Sequence, residues 1–207
     1  LYINVTVKLY YFIKTFLISL LINIFMKITI SGTPGSGKTV VGKYLSKILK
    51  LDYYGIGELM RSFADVNKLS LRQLSRLLEK NKELDKSFNE SIKELNNKDN
   101  FILDSRIGFL FINKSVNIFL DADLNLRANR IFKDQRKLEN YKTVKEVKDE
   151  IDKRFLSERK RFRKLYKADF ADLNHYDLVV DTTNMNVKII STVILKYLKS
   201  LKWYMTL

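Results

Sequence analysis

From Met26 onward, short apolar runs alternate with longer stretches in which apolar residues recur every three or four positions. The runs Lys27–Ser31, Leu51–Tyr54, Asn100–Asp104, Val116–Leu120 and Asp177–Asp181 are rich in β-branched and aromatic residues, which suit a pleated, buried surface. Their near-continuous apolar character predicts strands covered on both faces, as in a parallel sheet. Val40, Tyr44, Leu45 and Ile48 predict one amphipathic helix, and Val144, Val147, Ile151, Phe155 and Phe162 predict another. Alternating strands and helices predict the α/β class, a parallel sheet flanked by helices. The stretch from Gly57 to Asn97 is helical in pattern, highly charged and too long for a simple crossover. With no repeat, Pro-rich linker or low-complexity block, the expectation is one domain with helical insertions.

The first 25 residues break this pattern. Leu9 to Phe25 is strongly apolar, with Lys8 and Lys14 ahead of its longest run. A transmembrane helix needs about 20 largely uncharged residues, and Lys14 leaves only Thr15 to Met26 beyond it. The charge-then-apolar order resembles a signal peptide, yet no small-residue cleavage site follows. The expectation is that the functional domain runs over 26–207 and that 1–25 is an upstream extension. A membrane anchor is the alternative.

Composition narrows the chemistry. A chain of 207 residues with 46% hydrophobic content can bury the core of one domain. The absence of Cys excludes disulfides and thiolate metal sites, and the lone His175 cannot build a His-based metal site or a catalytic triad. A formal charge of +15 favours polyanionic partners such as nucleotides, nucleic acid or anionic membrane. A general bias towards Lys, Asn and Ile could raise the charge equally well.

The sharpest signal is Gly32-Thr33-Pro34-Gly35-Ser36-Gly37-Lys38-Thr39, directly after the Ile28–Ser31 run and before the Val40 helix. It has the spacing G-x-x-x-x-G-K-[ST], flanked by a strand and a helix as a P-loop requires. The glycines let successive N–H groups converge on a phosphate, and the helix opening near Gly37 adds its positive end. Lys38 can reach the β- and γ-phosphates, and the Thr39 hydroxyl can ligate Mg²⁺. ATP or GTP binding follows.

Three further features favour a small-molecule kinase over a switch or motor. Gly57-Glu58-Leu59-Met60-Arg61 places an arginine at the entrance of the helical insertion. Phe101-Ile102-Leu103-Asp104-Ser105-Arg106 ends the third strand with an acid and an arginine, at the sheet edge where ligands bind. There Asp104 could hold Mg²⁺ through water or merely cap the next turn, and Arg106 could grip an acceptor phosphate. Arg127 and Arg130 share a helix beginning near Asp123, and Arg154, Glu158 and Arg161 share one helix face. Convergent guanidiniums stabilise the charge of a phosphoryl-transfer transition state; a solvated charged face is the competing reading.

With these segments the sequence resembles the nucleoside monophosphate kinases, above all the archaeal-type cytidylate kinases. The resemblance runs from Met26 to about Lys199 and includes ITISGTPGSGKT, GELMR, LDSR, IFLDADLNLRANRI, RFLSERKRFRKLY and YDLVVDTT. It implies a five-stranded parallel sheet of the P-loop NTPase type, an acceptor-binding insertion over about 57–97 and a lid over about 133–161. It implies transfer of the ATP γ-phosphate to CMP or dCMP in the cytoplasm by a monomer, with Mg²⁺ and no specific nucleic-acid partner. Gly32 to Val40 match the ATP loop, and Arg61 and Arg106 match arginines on the acceptor phosphate. Arg130 matches an arginine near the ATP base, and Arg154 and Arg161 match lid arginines.

Three departures bear on selectivity. Asn89-Glu90-Ser91-Ile92 stands where an Asp-Arg-Arg-Gln run is expected. Asp134 replaces a frequent lid arginine, with Arg136 nearby, and Ser105 replaces a usual glycine. The close rival is an adenylate kinase-like or other small-molecule P-loop kinase. From another class, an RNA- or ribosome-associated P-loop ATPase would use the net charge instead of a mononucleotide pocket.

Overall fold

Five short strands form one parallel sheet, and the residues that compose it explain why both of its faces are covered. The computed structural model describes residues 26–134 and 141–204. Residues 1–25, expected to be an extension, and Arg136, expected near a lid, lie outside them.

In chain order the strands are β1 (Lys27–Gly32), β2 (Asp52–Gly55), β3 (Phe101–Asp104), β4 (Val116–Asp121) and β5 (Leu178–Asp181). Each lies within one residue of its expected bounds. The sheet order is β2-β3-β1-β4-β5, so β1 sits at the centre and the loop that follows it emerges between β3 and β4. Ile30 is level with Asp104, and Gly32 with Leu120, which brings both segments to the carboxyl edge where the β1 loop begins.

The helices are α1 (Lys38–Leu49), α2 (Ile56–Val66), α3 (Leu71–Lys80), α4 (Lys82–Glu94), the short α5 (Gly108–Phe111), α6 (Leu124–Lys133), α7 (Val144–Tyr166) and α8 (Val187–Tyr204). Ile28, Ile30, Ile102, Ile118, Leu120 and Val180 pack against Val41 and Leu45 of α1 and Ile190, Ile194 and Leu198 of α8. On the opposite face, Phe119 joins Ile107, Phe162 of α7 and Phe170. Each such aliphatic side chain, once fully buried, contributes roughly 1.5–3 kcal/mol.

One helical stripe is corrected. Val41 and Leu45 are the buried large apolar residues of α1, whereas Val40 is 61% and Ile48 47% exposed. Apolar residues at both 40 and 41 leave two possible faces, and the sheet selects the one carrying Val41. The α7 stripe holds: Val147, Ile151 and Phe162 are buried.

The insertion over 57–97 is α2, α3, α4 and a short 3-10 turn, around its own small core of Ala64, Leu74, Leu78 and Phe88. Local chemistry delimits its helices. Ser70 and Gln73 form a reciprocal capping box at the start of α3, and the Asn81 side chain accepts from Leu84 N–H at the start of α4. Asp123 caps α6 and Thr143 caps α7 in the same manner.

Candidate active site

The loop from Gly32 to Thr39 is shaped by three glycines in left-handed or otherwise restricted backbone. Gly32 has φ 141°, and a Cβ there would lie 1.9 Å from the Leu120 carbonyl oxygen, so no side chain fits. Gly37 has φ 93° and caps α1, whose first turn carries Lys38 and Thr39. The unpaired N–H groups of that turn make the loop an anion site.

The loop's carbonyls are held by side-chain donors. Lys38 Nζ donates to Gly32 O at 3.1 Å and Thr33 O at 2.7 Å. Arg127 donates to Pro34 O at 3.5 Å, and Arg130 to Gly35 O at 3.3 Å. The Thr182 hydroxyl, at the end of β5, donates to Ser36 O at 3.0 Å.

A cleft of about 910 Å³ opens over this loop. Its wall contains Pro34, Gly35, Ser36, Gly37, Lys38, Thr39 and Val40, together with Arg61, Asp104, Arg106, Arg130, Arg154 and Arg161. Gly32 and Thr33 are not part of the wall. They form its base, Gly32 packed on Leu120 and the Thr33 hydroxyl donating to Asp121 Oδ1 at 2.7 Å.

Asp104 caps no turn. Its Oδ2 accepts from the Thr39 hydroxyl at 2.7 Å and from the Tyr53 hydroxyl at 3.2 Å. Burial, then the Asp104 charge, raises the Tyr53 phenol far above its ordinary range, so it remains a donor. The described residues hold no cluster of three or more His, Cys, Asp or Glu that could cage a metal. One carboxylate beside one hydroxyl, facing a phosphate site, nonetheless suits Mg²⁺, which keeps water and substrate oxygens as ligands.

Glu158 is the site residue that its i, i+4 spacing from Arg154 hints at without revealing its reach. Its Oε2 accepts from Arg106 Nε and its Oε1 from Arg154 Nε, both at 2.8 Å. Burial opposes its charge, but Arg106, Arg154 and Arg161 outweigh burial and hold the carboxyl well below the usual carboxylate range. Arg106 also donates from NH1 to Gly32 O, so one guanidinium spans the phosphate loop and α7. Burial, then the Arg106 charge, pushes the Lys38 ammonium well below its ordinary range. A ligand phosphate would reverse that pressure, since an opposite charge favours the protonated amine.

Arg161 sits differently from a solvent-facing lid arm. Only 5% exposed, it pairs through Nε with Asp85 Oδ1 of α4 at 3.0 Å, tying α7 to the insertion. Asn89, the first residue of the divergent run, is also buried and lines the cleft, whereas Glu90 and Ser91 are exposed.

A phosphate loop at the edge of a parallel sheet, facing arginines from an insertion and a long basic helix, defines a P-loop phosphotransferase. The sequence profile of the cytidylate kinase-like family matches residues 27–184, and the chain belongs to that family. It is 32% identical over 179 residues to a cytidylate kinase of Methanosphaera stadtmanae, covering 86% of this chain and 100% of that protein. It is 36% identical over 176 residues to one of Sulfurisphaera tokodaii, covering 84% and 95%. Among solved structures, shikimate kinase from Bacteroides thetaiotaomicron superimposes with a TM-score of 0.60 at 14% identity, covering 84% of this chain and 99% of that one. Shikimate kinase from Acinetobacter baumannii, in complex with shikimate, gives 0.59 at 16%, covering 89% and 98%. At such identity these two share the fold. Among the described residues no helix is long and apolar enough to cross a membrane.

Proposed function

We propose that this chain transfers the γ-phosphoryl group of ATP to a nucleoside monophosphate, CMP or dCMP, giving CDP or dCDP. The observation that carries this reading is the bridge made by Arg106. One guanidinium joins the Gly32 carbonyl of the donor loop to Glu158 on the opposite wall. A cation so placed stands where two phosphate chains would meet. The family membership and the cytidylate kinases that resemble this chain support CMP over the adenylate kinase-like alternative and over an RNA-associated ATPase.

The loop N–H groups and the α1 N-terminus bind and orient the donor phosphates, and Lys38 neutralises charge on the group in transfer. Arg61 and Arg106 position the acceptor phosphate, with Arg106 aimed by Glu158. Arg130 and Arg154 supply charge from α6 and α7 as negative charge spreads over the transferring oxygens. No general base is needed, because the attacking group is an ionised phosphate oxygen and positioning suffices. Thr39 and Asp104 would hold Mg²⁺, which would supply positive charge to offset that of the phosphates.

ADP release from ATP, coupled to an optical readout, tests the reading with CMP, dCMP, UMP and AMP as acceptors. CMP and dCMP should give the highest kcat/KM. ADP formation that is independent of every acceptor would overturn it.

A further inference from the structure

We propose that the side-chain amide of Asn89, held in one orientation by Asp85 and Tyr166, selects an acceptor base bearing an exocyclic amine, cytosine, against uracil. This rests on the reading above that the acceptor is a pyrimidine nucleoside monophosphate.

Asn89 lies on α4, is 4% exposed and lines the cleft. Its Nδ2 donates to the Asp85 main-chain carbonyl and to the Tyr166 hydroxyl, both at 2.8 Å, with Asp85 Oδ2 at 3.3 Å. The first and last of these partners are acceptors only. The Tyr166 hydroxyl gives its own hydrogen to Asp85 Oδ2 at 2.8 Å, so it presents a lone pair to Asn89. Burial, then Asp85, raises the Tyr166 phenol far above its ordinary range, which keeps that hydrogen in place. Turning the amide over would set Oδ1 against the Asp85 carbonyl and carboxylate, oxygen against oxygen. The amide therefore has one stable orientation, assigned by its partners.

Both Nδ2 hydrogens are engaged, so Oδ1 is the amide atom left to a ligand, and it can only accept. The same Asp85 carboxylate holds Arg161, which also lines the cleft. Arg161 NH1 is buried and meets no hydrogen-bond acceptor among the described residues. The wall thus offers an acceptor, Asn89 Oδ1, on an amide held by the same carboxylate as the buried Arg161 guanidinium. Cytosine presents an amine donor with ring nitrogen and carbonyl acceptors beside it. Uracil replaces the amine by a carbonyl and the ring acceptor by an N–H, reversing both. A buried polar site discriminates strongly against a ligand that leaves its groups unpaired.

A free asparagine amide would accept either pyrimidine by rotating half a turn. Tyr166 and Asp85 prevent that rotation, so Tyr166, at the last turn of α7, is a positioning residue for base choice.

The test compares kcat/KM for CMP, UMP and a CMP analogue lacking the exocyclic amine, in the unaltered protein and in Tyr166→Phe. In the unaltered protein, the analogue and UMP should each be poorer than CMP by roughly tenfold or more. Tyr166→Phe frees one amide hydrogen, and the CMP-to-UMP ratio should fall by roughly tenfold with the KM for ATP unchanged. A network that is merely structural would lower both acceptors together and leave the ratio intact. If the unaltered protein uses the analogue as well as CMP, or CMP and UMP alike, the assignment to Asn89 is overturned while the kinase reading stands. Failure to phosphorylate any of the three overturns the kinase reading, and this assignment with it.

Discussion

The Arg106 guanidinium meets the Glu158 carboxylate at 2.8 Å, joining the end of β3 to the middle of α7 across the cleft. Glu158 is 4% exposed and serves Arg154 as well, so one acid aims two arginines at the space above the phosphate loop. An unpaired buried guanidinium would be costly and misdirected, whereas a shared carboxylate orients both side chains.

Glu158→Gln should destabilise the protein by about 3 kcal/mol, because it removes the buried carboxylate that pairs with Arg106 and Arg154. The pH dependence has a definite sign. The folded-state pKa of Glu158 is depressed, so its contribution is full above the ordinary carboxylate range and is lost as pH falls towards the lower folded value. Melting temperatures recorded downward from about pH 5 should drop more steeply for the unaltered protein than for Glu158→Gln. Parallel curves would remove Glu158 as the coupled group.

Lys38→Ala should lower kcat by roughly two to three orders of magnitude, the scale for losing a charge that stabilises the transition state. Among the described residues Lys38 bonds only to carbonyls of its own loop, so the circular dichroism spectrum should be unchanged. A rate within roughly tenfold of the parent would exclude Lys38 from the transfer step.

Arg106→Met should raise the acceptor KM and lower kcat. A smaller rise in the KM for ATP should accompany these changes, because Arg106 also holds the Gly32 carbonyl of the donor loop. Arg106→Lys should not rescue, since a point charge cannot serve Gly32, Glu158 and a phosphate together. Steady-state kinetics with each substrate varied in turn measures the split. Equal effects on both substrates would exclude Arg106 as a contact specific to the acceptor.

Asp104→Asn and Thr39→Val should each raise the Mg²⁺ concentration needed for half-maximal rate, the first more than the second, because Asp104 supplies the charged group of the pair it forms with Thr39. Titrating metal against rate at saturating nucleotide gives the shift. An unchanged midpoint in Asp104→Asn would assign that carboxylate to structure.

Much of the fold was legible because it is locally encoded. Each strand is a short run carrying β-branched or aromatic residues, and the starts of α3, α4, α6 and α7 are set by Ser70, Asn81, Asp123 and Thr143, whose side chains bond the next turn. The phosphate loop was legible for the same reason: its geometry needs glycine at positions where Gly32, Gly35 and Gly37 have positive φ. The helix face of α1 was not. Val40 and Val41 are equally apolar, and only the sheet beneath decides between them.

The sequence by itself determined the class of chemistry, through a loop whose eight residues are contiguous and a strand end whose Asp104 and Arg106 are two apart. Only the tertiary structure decided how the remaining charges are used. Glu158 reaches Arg106 across 52 positions, Tyr166 reaches Asp85 across 81, and Asn89 reaches Tyr166 across 77. Hydrogen-bonding partners so distant in the chain leave no periodic trace. Their meeting depends on how α4 and α7 pack beside β3, where burial makes an unpaired polar group costly and each charge must find its partner.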